Sequence, residues 1–208
     1  MGIIRNLLGP DKDEVWQEVA TEISAEYIRG GIKDGWWAGE SKLNCRYKDW
    51  TILIDTYEDV LQRPPQKYTR VRSVYFTTDD FYFSIHHRTF FSLLADLVEI
   101  KRITVEDSDF SSEFSVKGNN EEEVKRLLSF SRIRYLIKEL SELELKVRDD
   151  DGLVGIELPT GACELYLRMP GYVKDKQKLR QLVELFEETL DRLVEIGSAE
   201  EKGYALSK

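Results

Sequence analysis

A chain of 208 residues with 41% hydrophobic and 33% charged residues is long enough to bury a core without disulfides or metals as staples. Its 39 Asp and Glu against 30 Lys and Arg give a net charge of −9, dispersed along the chain, which argues against a nucleic-acid backbone as partner. Cys45 and Cys163 lie far apart and outside any C-x-x-C pair, and no stretch approaches about 18 apolar residues, so the chain reads as a soluble cytoplasmic protein without membrane insertion.

The first element predicted is a helix from Asp11. Val15, Val19, Ile23 and Tyr27 recur along one face, Asp11 caps it, Glu14 holds the capping-box position, and Gly30-Gly31 stops it. The glycine-rich segment that follows carries Trp36 and Trp37 and predicts a turn or loop. Three strands are expected next, Leu43–Tyr57, Tyr68–Phe76 and Phe81–Arg88, the last two paired as an antiparallel hairpin across Thr77 to Asp80. In the second strand neither face is cleanly apolar. Thr69, Val71, Ser73 and Tyr75 alternate with Arg70, Arg72, Val74 and Phe76.

A short helix over Thr89–Val98 and short strands over Lys101–Val105 and Glu113–Lys117 follow, the strands separated by an acidic turn at Glu106 to Asp109. Asn120 then caps a helix that a Ser-Phe-Ser step at residues 129–131 divides into two stripes, Val124, Leu127 and Leu128 before it and Ile133, Leu136, Ile137 and Leu140 after it. Strands are predicted at Leu143–Arg148, Leu153–Leu158 and Ala162–Met169, with turns at Asp149 to Gly152 and Pro159 to Gly161. In the last helix Leu179, Leu182, Val183, Phe186, Leu190, Leu193 and Val194 share one face, and Gly197 ends it. Residues 198–208 read as a disordered polar tail.

This order predicts an α+β fold, a mostly antiparallel sheet covered by helices, in a single domain over residues 1–197. It suggests two half-repeats, 11–99 and 119–197, each a helix, three strands and a closing helix.

At residues 107–140 the pattern of Asp107, Phe110 and Phe114, a polar turn, a helix entered by acidic residues and a Leu-Ser step resembles an uncharacterised bacterial family known only as a domain of unknown function. Members usually place a proline after the Leu-Thr step, where this chain has Phe130, and often carry membrane segments. The resemblance implies no activity.

His86 and His87 are the only histidines, and on a strand adjacent residues point to opposite faces, so they cannot jointly hold a metal or form one acid–base pair. The acidic turns lack the twelve-residue frame of a calcium loop, and no G-x-S-x-G, Walker or dinucleotide glycine pattern is present. No cofactor or metal is expected. The favoured function is a non-catalytic module binding a protein segment or small ligand on the sheet face or through Trp36 and Trp37. One version is a chaperone-like homodimer, with the last helix as a seam. The alternative is a hydrolase with His86 or His87 as base, assisted by Asp79, Asp80 or a divalent cation.

Overall fold

The computed structural model describes residues 11–33, 36–37, 39–89, 102–149 and 158–203. The first helix, α1 (Lys12–Glu22), starts where expected, with the Asp11 carboxylate accepting from the Asp13 N–H. It ends sooner than predicted. Ile23 closes it, Ser24 turns the chain at φ +54°, and β1 (Glu26–Ile28) follows. Tyr27 extended the helical spacing because, as the register partner of Leu43, it also packs on the core.

After β2 (Ile32–Lys33) and β3 (Trp36–Trp37), which form their own two-stranded hairpin, the strand expected over Leu43–Tyr57 is two strands. These are β4 (Lys42–Tyr47) and β5 (Trp50–Asp59), joined through Lys48 at φ +50°. A two-residue hairpin loop demands positive φ, and Lys-Asp lacks the Asn or Gly that usually announces it. Next come β6 (Gln66–Thr77) and β7 (Phe83–His87). The predicted hairpin between these two does not form: β6 pairs with β5, while β7 lies beyond two later strands.

The segment after β7 continues with β8 (Arg102–Ile103), α2 (Ser108–Glu113) and β9 (Phe114–Gly118). The acidic turn is thus a helix start: the Asp107 carboxylate accepts from the Phe110 N–H at 2.9 Å. The two helices expected next are α3 (Glu121–Leu128), capped by Asn120, and α4 (Ser131–Leu140), divided at Ser129-Phe130. Then β10 (Glu144–Arg148), β11 (Ala162–Pro170), α5 (Lys176–Ile196) and β12 (Ala199–Gly203) complete the described chain. The strand expected at Leu153–Leu158 and the helix at Thr89–Val98 fall outside the described residues almost entirely.

The ten-stranded antiparallel sheet runs β1-β4-β5-β6-β11-β10-β7-β9-β8, with β12 added to β6. The α+β class therefore stands. β10 and β11 lie between β6 and β7, so the two suggested halves interleave in one sheet. The described helices cover one face, where Ile52, Ile54, Val71, Tyr75, Leu165, Leu167, Leu145 and Ile85 meet Trp16 and Val19 of α1 and Leu182, Phe186 and Leu190 of α5. Trp16 is fully buried and satisfies its indole N–H on the Val173 carbonyl at 2.9 Å.

The residues after Gly197 are not a loose tail up to Gly203. Gly197 takes φ +88°, ends α5 in the left-handed conformation, and turns the chain back onto β6. Ser198 is buried, its hydroxyl donates to Asp79 Oδ2 at 3.1 Å, and its carbonyl accepts from the Thr78 N–H.

Candidate functional site

Strand alternation sends residues 68, 70, 72 and 74 of β6 to the face the described helices leave alone, and the register carries that face across the sheet. One row reads Asp55, Arg70, Arg168, Glu144, His86, Ser115; the next reads Leu53, Arg72, Tyr166, Lys146, Ser84, Lys117, Arg102. Lys42 and Arg46 of β4 extend it to one side and Arg148 lies opposite Glu164. On β1 and β4 to β11 this face holds nine Lys and Arg (42, 46, 70, 72, 102, 117, 146, 148, 168) against five Asp and Glu (26, 55, 59, 144, 164). It is cationic by four on a chain of net charge −9.

The acids sit between the bases. Asp55, buried, accepts from Arg70 Nε and Nη2 and from Arg72 Nη2, each at 2.8 Å. Glu144 accepts from Arg168 Nε at 2.6 Å and Lys146 Nζ at 3.3 Å, and Glu164 accepts from Arg148 Nε at 2.6 Å. Burial alone pushes the Glu144 carboxyl up, but Lys146 and Arg168 outweigh it and hold the group below the usual Glu range. Burial works against the Arg70 charge, and Asp55 more than restores it. Tyrosines interleave the cations: the Arg148 guanidinium lies 4.0 Å from the Tyr166 ring centre and Arg70 5.0 Å from that of Tyr57. Arg72 is only 8% exposed, and its Nε has no acceptor among the described residues.

A cleft of about 380 Å³ opens at one end of this face. Gly39, Glu40 and Lys42 form one wall and Asp55, Thr56, Tyr57 and Glu58 the other, with Arg70, Arg72 and Tyr172 also reaching it.

The structure separates the residues singled out from the sequence. His86 and His87 do point to opposite faces: His86 lies in register between Glu144 and Ser115, whereas His87 sits edge-on to Phe114 at 5.3 Å with Nδ1 2.6 Å from Thr89 Oγ1. Asp79 and Asp80 lie before β7, seven and six residues ahead of His86. Asp79 is committed to the corner, accepting from the Phe81 N–H at 3.0 Å and from Ser198. Trp36 and Trp37 form β3, paired with Lys33 and Ile32. Among the described residues no three His, Cys, Asp or Glu come together to hold a metal ion. Burial pushes the Cys45 thiol up to about 12 and Cys163 to about 11, so neither is a thiolate nucleophile.

The row of arginines was missed although its signal was there. Arg70 and Arg72, Lys146 and Arg148, and Glu164 and Arg168 each put charge on one face of a strand whose other face is apolar in β10 and β11 and mixed in β6.

No known family's sequence profile matches the chain, and no curated protein matches it by sequence. Among solved structures it is similar to the crystal structure of the mycobacterial trehalose monomycolate transport factor A, TtfA, with a TM-score of 0.54 and 10% identity over 88% of this chain and 94% of that one. At that identity the likeness is one of fold. No described helix is long and apolar enough to cross a membrane.

Proposed function

We propose that the chain is a non-catalytic binding module that docks an anionic partner, an acidic protein segment or an anionic small ligand, on the charged face of its sheet. The observation that carries this reading is the reversed charge of that face, cationic by four on a chain of −9. A cationic patch offers an acidic partner attraction, and the half-buried Tyr57 beside Arg70 adds aromatic contact. A protein of similar fold bears the name of a transport factor, in keeping with a role in binding. The row Ser115, His86, Glu144 contains the residue types of a hydrolytic triad, but Arg168 and Lys146 already engage both Glu144 oxygens. Ser115 is buried, and the clefts beside Tyr57, Leu128 and Asp175 do not reach it.

The test is fluorescence anisotropy with labelled polyglutamate at low salt. The wild-type chain should bind it, and Arg46→Glu with Arg102→Glu, both exposed positions, should weaken binding at least about tenfold. Lys176→Glu with Arg180→Glu, on α5, should leave it unchanged. Equal affinity after reversal of the sheet-face charges, or no binding by the wild type, sinks the proposal.

A further inference from the structure

The cleft beside Tyr57 touches four consecutive residues of β5, Asp55 to Glu58. Consecutive strand residues point to alternate faces, so a cavity that meets all four lies along the edge of the strand. The register explains why that edge is open among the described residues. β4 pairs with β5 from Trp50 to Ile54 and then leaves, and no described strand takes its place beside Asp55–Asp59.

What draws the chain away is Gly30. It packs directly on the backbone of Gly39, Glu40 and Ser41, its N–H donates to Ser41 Oγ at 3.1 Å, and the Gly31 N–H donates to the Gly39 carbonyl at 2.8 Å. Side chains span the gap instead of backbone. Thr56 Oγ1 donates to Glu40 Oε2 at 3.3 Å, and Lys12 Nζ donates to Thr56 Oγ1 at 3.2 Å while standing 3.6 Å from Glu40.

We infer that this open edge of β5 is a strand-acceptor site, which takes an extended segment of a partner protein carrying adjacent acidic residues as an added antiparallel or parallel strand. The inference rests on the proposed docking reading and names the kind of partner. Main-chain groups of an unpaired edge supply affinity to any extended peptide, and alternate side chains supply choice. Here the choice is for acids once Glu40 is displaced, because Lys12, Lys42, Arg70 and Arg72 then stand against Asp55 and Glu58 alone. A side chain opposite Tyr57 comes under Arg70 and towards Arg72, whose nine-tenths-buried Nε has no acceptor among the described residues. Its neighbour, opposite Thr56 on the other face, meets Lys12 where Glu40 now sits. Glu40 is thus an internal occupant that the peptide displaces. Beyond Asp59 the same strand runs into Val60 and Leu61, 70% and 91% exposed, an apolar contact for the end of the segment.

The experiment uses the full chain and the fluorescein-labelled peptide Gly-Thr-Val-Glu-Glu-Val-Thr, beside the same peptide N-methylated at alternate backbone nitrogens. Methylation leaves the charge intact but removes the donors and blocks the approach that strand pairing needs. The unmodified peptide should bind at least about tenfold more tightly than the methylated one. Glu40→Ala should tighten binding, Arg72→Gln should weaken it, and amide exchange at residues 56–59 should slow in the complex. Equal binding of both peptides, or binding of polyglutamate but not of this peptide, overturns the strand-acceptor site and leaves docking on the charged face standing. Failure of both peptide and polyglutamate overturns the docking reading and this inference with it.

Discussion

Asp55 is the residue on which the charged face depends most. Buried at 3% exposure and shared by two guanidiniums, it is what allows Arg70 and Arg72 to sit side by side on β6. Removing one partner of a buried pair leaves an uncompensated charge, which costs about 3–5 kcal/mol. Asp55→Ala should fall in that range, by urea denaturation at neutral pH, with Asp55→Asn intermediate because an amide oxygen still accepts. Glu144 supplies a pH signature. Because its folded carboxyl is held below the ordinary value of 4.5, the stabilisation it provides is complete above that value. It is lost as pH falls from 4.5 through the lowered folded value. Glu144→Gln has no such proton to take up, so the stability gap between wild type and variant should narrow on acidification from pH 6 to about 3.5, measured as urea midpoints. A constant gap would mean that Lys146 and Arg168 do not hold the carboxylate.

Elements with one strongly patterned face were legible in the sequence. In α5 the apolar stripe and Gly197 both agree, and in α3 the Asn120 oxygen does accept from the Glu122 and Glu123 N–H groups. What was not legible was long-range choice. Nothing local says that β6 takes β5, β11 and β12 as neighbours and declines β7, because β7 is equally apolar against any core. The polar composition of residues 198–203 hid β12, whose place is set by backbone pairing, by Ser198 and by the one small core residue Ala199. For the site, the tryptophans and histidines drew the eye because they are rare, whereas the charged face is made of common residues whose meaning lies in cross-strand register. Ending the chain at Gly197 should lower stability by roughly 1–3 kcal/mol, since it leaves the Thr78 N–H and Asp79 without Ser198. Gly30→Val should destabilise by a similar amount and displace Gly39–Ser41, because any Cβ there meets their backbone. Thermal unfolding reads both.

Charge is segregated across the whole molecule. With the chain at −9 and the strands of one face at +4, the remainder carries −13, and α5 shows the consequence. Burial first, then Glu184, Asp191 and Glu188, pushes the Glu187 carboxyl up, and burial followed by Glu184 and Asp191 does the same to Glu188. Repulsion among solvent-facing acids is long-ranged and is screened once the Debye length falls to about 10 Å at 0.1 M salt. The buried pairs of Asp55, Glu144 and Glu164 are screened much less. Salt should therefore relieve the acidic side while sparing the network that holds the sheet face together. Raising sodium chloride from about 0.02 to 0.3 M should increase the melting temperature by roughly 2–4 °C, the equivalent of about 1 kcal/mol in a chain of this size. Over the same series, binding of polyglutamate to the charged face should weaken, because that attraction acts between solvated charges and sets the rate of encounter. Opposite signs in one buffer series are the signature of this charge arrangement. A melting temperature that falls together with affinity would mean that the solvated ion pairs contribute more to the fold than the repulsion on α5 takes away.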